Sequence, residues 1–60
     1  MATYTVRLRH QDGTVSRSDQ DGKDADEATQ AAWACAEHHH RMGRISAPAE
    51  FVGAREHRGW

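Results

Sequence analysis

The sequence has a single cysteine, Cys35, so no disulfide within these sixty residues can staple the fold. A lone thiol also suits a reducing compartment, and a cytoplasmic location is expected on that ground. No apolar run approaches the roughly 18 residues of a membrane span, and the opening MATYTVRLRH lacks the apolar core of a secretory signal. No membrane partner is therefore expected. Aromatic residues are few (Tyr4, Trp33, Phe51 and Trp60), and Pro48 is the one proline, so everything before it is free of that helix breaker. Eight Lys and Arg against nine Asp and Glu leave a net charge of −1, which gives no bulk attraction to nucleic acid. A chain this short buries only about 60% of the surface its unfolded form exposes. A single thin domain over 1–60 is expected, with a homodimer as the natural further support.

What is present alternates at first. Tyr4, Val6, Leu8 and His10 share one parity, and Thr3, Thr5, Arg7 and Arg9 the other, which predicts a half-buried strand. Asp12-Gly13 follows, a strong hairpin signal. A two-residue turn there pairs Gln11 with Thr14, His10 with Val15 and Leu8 with Arg17. That register puts Val15 on the apolar face, and Thr14, Ser16 and Ser18 on the outer face with Arg7 and Arg9. Asp19 to Lys23 is polar, contains Gly22, and reads as a loop.

Asp24-Ala25-Asp26-Glu27 has the form of a capping box, and its acids suit the positive end of a helix. From there to about Met42 there is no Gly or Pro, and Gly43 is a natural stop. At about 100° per residue, Ala25, Ala28, Ala32, Cys35, Ala36, His39 and Met42 form one stripe. Its small side chains let the helix lie close on a sheet, with Tyr4, Leu8 and Phe51 supplying bulk and Trp33 at the stripe's edge. Pro48 closes the next connection, and Glu50 to His57 reads as a last strand. The fold class expected is α+β in ββαβ order: a small antiparallel sheet, built from a hairpin and a C-terminal strand, with one long helix on one face.

Chemistry-bearing clusters are sparse. Cys35 and His39 stand four apart on one helix face, a spacing zinc can use. His38, His39 and His40 diverge around the helix and cannot converge on one ion, so a site needs His10, His57 or a second subunit, and the ordinary reading is a core thiol among partly solvated histidines. Asp19-x-Asp21-Gly22 has its glycine too early for a calcium loop and lacks the closing glutamate. Cys35 lies mid-helix, Ser16, Ser18 and Ser46 lack an elbow, and no glycine-rich phosphate loop exists. Neither an enzyme nor a cofactor is expected.

Thr3-Tyr4-Thr5-Val6, the Asp12-Gly13 hairpin, the Asp24-Ala25-Asp26-Glu27-Ala28 helix start and the closing Phe51-Val52 together resemble small ββαβ accessory proteins of phages and mobile elements. Anti-CRISPR inhibitors of host surveillance complexes belong to that class. The resemblance is architectural. It implies a non-catalytic module that acts sterically by occupying a nucleic-acid-binding surface on a larger complex. A protein partner is expected, with Arg7, Arg9, Trp33 and the acidic Asp19, Asp21 and Asp24 as contact residues. Two other readings stand beside it. One is a nucleic-acid-binding accessory protein using Arg7, Arg9, Arg17 and the C-terminal arginines. The other is a homodimer bridged by metal through Cys35 and His39.

Overall fold

Alternation near the N-terminus produces the central strand of a three-stranded antiparallel sheet. A computed structural model describes residues 2–57. Arg58, Gly59 and Trp60 lie outside the described residues. Strand β1 spans Ala2–His10, β2 Val15–Gly22, α1 Ala25–Arg41 and β3 Pro48–Glu56, and the sheet order is β2-β1-β3. The fold is therefore α+β in ββαβ order, as the sequence predicts. The last strand begins two residues earlier than expected, because Pro48 opens it opposite His10 instead of closing the loop before it.

The hairpin register differs from expectation by one residue. Val15 pairs with Arg9, Ser16 with Leu8 and Arg17 with Arg7. The turn is a three-residue loop, Gln11-Asp12-Gly13, in which the Gly13 amide donates to the His10 carbonyl at 3.0 Å and Gly13 takes φ +89°. No other residue in this turn needs a left-handed backbone, which a two-residue turn would have imposed on Asp12 as well. Asp12 instead braces the turn, accepting from the Thr14 amide at 3.0 Å and its hydroxyl at 2.6 Å. Those two bonds, the hydroxyl's first, hold the Asp12 carboxyl below its ordinary value.

A one-residue slip turns every side chain of a strand to the other face. Val15 is accordingly on the outer face and 52% exposed, not in the apolar layer. Ser16 and Ser18 face the helix side, whereas Arg17, Asp19 and Asp21 join Arg7 and Arg9 outside. The segment from Asp19 to Gly22, expected as loop, is strand.

Helix α1 begins where Asp24, in extended conformation, accepts from the Glu27 amide at 2.9 Å. It ends in a Schellman motif: the Gly43 amide bonds the His40 carbonyl and the Arg44 amide the His39 carbonyl, with Gly43 at φ +76°. Of the expected stripe, Ala28, Ala32 and Ala36 are buried against Val6 and Leu8, and Tyr4, Trp33 and Ala54 pack around them. Ala25 and Met42 are exposed because they sit at the helix ends, beyond the sheet contact, and Cys35 and His39 are only partly covered. Phe51 does not supply core bulk: it is 50% exposed. It lies where β3 shifts register between Arg7 and Leu8, and the bulge leaves Val52 unmatched and bends the strand at that point.

The chain after α1 is fastened from three sides. His40 Nδ1 donates to the Ile45 carbonyl at 3.0 Å, His10 Nδ1 to the Ser46 carbonyl at 2.8 Å, and the Gln11 amide to the Ala47 carbonyl at 2.9 Å. No helix among the described residues is long and apolar enough to cross a membrane.

Candidate functional site

The alternation of β1 and the observed hairpin register together build the outer face of the sheet, opposite the helix. One end of that face is acidic. The Thr3 hydroxyl donates to Asp21 at 2.6 Å and the Thr5 hydroxyl to Asp19 at 2.8 Å. With its one proton committed to Asp19, the Thr5 oxygen accepts from His57 Nε2, which also lies 3.7 Å from Asp19. Asp19 and Asp21 are thus held upright on the sheet by a row of hydroxyls while remaining open to solvent.

The middle of the same face is basic. Arg7 and Arg17 stand directly opposite each other, Gly53 flanks Arg7 on its other side, and Arg55 sits diagonally beyond. Like charges directly opposite across a ladder are unfavourable by themselves. Among the described residues, no side-chain hydrogen bond or ion pair engages Arg7, Arg17 or Arg55. Gly53 carries no side chain, so the sheet between the Arg7 and Arg55 side chains is open. Arg9, next along, is partnered: its guanidinium pairs with the Glu50 carboxylate.

The remaining residues singled out from sequence lie elsewhere. Asp24 is the helix cap, its carboxylate engaged by the Glu27 amide, and is not part of the Asp19–Asp21 surface. Trp33 is on α1, half-buried against the core, with its indole N–H donating to Glu37 at 2.7 Å. The helix and the outer face are on opposite sides of the sheet, so Trp33 and the arginines do not share a surface. Cys35 is a free thiol of intermediate exposure, and His39 stacks edge-on with His38 at 5.8 Å. Among the described residues, no group of three or more His, Cys, Asp and Glu is placed to hold a metal ion. A shallow cleft of about 250 Å³ runs between the helix end and the start of β3, lined by Glu37, His40, Arg41, Ala47 and Pro48. His40 there is tied to the Ile45 carbonyl, and among the described residues no serine, threonine or cysteine lines the cleft beside that ring.

Sequence reasoning placed Thr3, Thr5, Arg7 and Arg9 on the outer face and missed Arg17, Arg55 and His57 as their neighbours. It also put Asp19 and Asp21 in a loop. The parity of β2 decides that Arg17, Asp19 and Asp21 face outward, and the pairing of β3 with β1 brings Arg55 to the same face. Comparison with known proteins adds nothing to the geometry: no family model, curated protein or solved structure matches this chain.

Proposed function

We propose that the chain is a non-enzymatic protein-binding module that docks through the outer face of its sheet and acts by occupying a partner's surface. One observation carries this reading. The register sets Asp19 and Asp21 on the same face as Arg7, Arg17 and Arg55, with the acids in the rows of Thr3 and Thr5 and the facing Arg7–Arg17 pair in the next row. A face that carries both signs at fixed places is matched by a protein surface of reversed signs, which fixes orientation as well as attraction. A phosphate backbone favours a track of one sign, and the acids at the end of this one oppose it. The architectural resemblance to small phage inhibitors supplies the steric mode, with the Asp19–Asp21 end competing for a basic channel on a larger complex.

The test is affinity capture from a lysate of the source cells, half of it nuclease-treated, using the wild type, Arg7→Glu/Arg55→Glu and Asp19→Arg/Asp21→Arg. The expected result is a defined protein retained after nuclease by the wild type and lost with both reversals. Bound material that disappears with nuclease would transfer the function to nucleic acid and leave the arginines as its phosphate contacts. Retention by all three proteins would remove the outer face from the function.

A further inference from the structure

The two edges of the sheet are built differently, and the difference concerns self-association. Strand β3 is blunted by Pro48 and by two register shifts, devices that keep an edge from pairing with another chain. Strand β2, the opposite edge, pairs with β1 without a single shift over its whole length and holds neither proline nor lysine. Its backbone is ready to accept a strand. His10 and Thr14 exchange a bond at 2.8 Å across the hairpin, and bonded pairs alternate along an antiparallel ladder. The even-numbered residues of β2 therefore turn their N–H and C=O toward β1. Val15, Arg17, Asp19 and Asp21 turn theirs to the open edge.

We propose that β2 pairs antiparallel with β2 of a second copy about a dyad at Ser18, joining the two sheets into one of six strands. The charges select this register. With the dyad at Ser18, Arg17 stands opposite Asp19 of the partner copy, and Asp19 opposite Arg17 of the partner copy, all on the outer face. Each of those pairs also exchanges two backbone bonds, since both members present N–H and C=O to the edge. Moving the dyad to Arg17 sets Arg17 against itself, and moving it to Asp19 keeps two opposite-charge pairs, Arg17 with Asp21 of the other copy, but sets Asp19 against itself between them. Both are like-charge contacts that a ladder disfavours. A dyad between two residues would put side chains of one copy's outer face against the other's inner face. The small core is the reason an added edge matters: among the described residues, Val6 and Leu8 are the only buried apolar members larger than alanine. This dimer does not depend on the outer face having a partner, though it would double that face.

Sedimentation equilibrium over a wide concentration range tests the proposal, with amide hydrogen exchange as the second readout. The wild type should pass to twice the 6.7 kDa chain mass as concentration rises. Exchange at the Arg17 and Asp19 amides should slow along with that change, whereas the Ser16 and Ser18 amides stay protected throughout. Arg17→Asp places two like-charge contacts at the seam and should weaken the dimer by about tenfold or more. Arg17→Asp/Asp19→Arg restores the complement and should recover it, with circular dichroism showing that both variants remain folded. A chain that is monomeric at every concentration overturns the proposal. So does a dimer indifferent to both variants, or one whose Arg17 and Asp19 amides exchange freely.

Discussion

The ring of His10, on the central strand, donates from Nδ1 to the carbonyl of Ser46 at 2.8 Å. A carbonyl oxygen only accepts, so the proton is on Nδ1, and a neutral ring then accepts at Nε2 from the Ser16 hydroxyl, 2.6 Å away. His10 is 3% exposed, the one buried polar residue among the described residues, and it clamps β2, β1 and the chain leaving the helix at one point. The strand pattern that buries it also aims it: its parity is that of Val6 and Leu8.

Replacing His10 with alanine should therefore cost more than its apolar contacts. It orphans the Ser46 carbonyl and the Ser16 hydroxyl in a partly buried place, worth up to about 1–3 kcal/mol. That is a large part of the roughly 3–9 kcal/mol available to a domain of this length. Urea denaturation of His10→Ala should show a clearly lowered midpoint, and an unchanged one would mean that water or a neighbour satisfies both groups.

Gly13 is the residue on which the register turns. A side chain at φ +89° costs about 1–2 kcal/mol for most L-residues, and no neighbouring atom lies within 4 Å of an added Cβ. The penalty of Gly13→Val is thus one of backbone conformation, and Gly13→Asn should recover part of it, since asparagine tolerates the left-handed region. Thermal melts of the two variants should rank wild type, Asn, Val. Equal melts would mean that the turn has another shape.

Asp12 gives the hairpin a dependence on acid. Its carboxyl is held low in the folded chain by Thr14 and takes the ordinary value when unfolded. The unfolded chain then binds the proton first on acidification, so this contribution is complete above the unfolded value and disappears as pH falls through the folded one. The stability difference between wild type and Asp12→Ala should be present at neutral pH and vanish below the carboxylate range. Denaturation curves at both ends measure it, and a difference that grows on acidification would contradict the sign.

Asp24 separates folding from binding among the acids. Loss of its cap in Asp24→Ala should cost about 0.5–2 kcal/mol and lower helical signal in far-ultraviolet circular dichroism. Capture of the partner at temperatures where the variant is folded should be unaffected, unlike that of Asp19→Arg/Asp21→Arg. Equal loss of binding in both would place the helix start inside the interface.

Much of this architecture was legible because its signals were periodic or stereochemical. Tyr4, Val6, Leu8 and His10 announced β1. Asp24 and Gly43 marked the helix ends, and the alanines every fourth residue marked its buried line. The outer face was half legible, and the obstacle was β2 itself. Val-Ser-Arg-Ser-Asp-Gln-Asp-Gly has one apolar residue, so no hydrophobic alternation fixes its parity. The turn alone decides it, and Asp12-Gly13 is compatible with loops of two or three residues. What tips the balance is the conformation of Asp12, which avoids the left-handed region and gains two bonds from Thr14. Phe51 was misplaced for a different reason, since a bulge depends on how β3 meets β1 across the intervening β2 and α1, and local pattern does not carry that information.

The stretch from Ile45 to Ala47 has the surface position and irregular backbone at which digestive enzymes usually cut first. Cleavage requires the target backbone to be drawn out straight, with its carbonyls free to enter the enzyme's own hydrogen-bond array. Here all three carbonyls are already taken, by His40, by His10 and by the Gln11 amide. Limited proteolysis should leave this link whole in the wild type and open it in His10→Ala. Two imidazoles and an amide thus guard the chain's most vulnerable crossing, and a single substitution on the far strand would expose it.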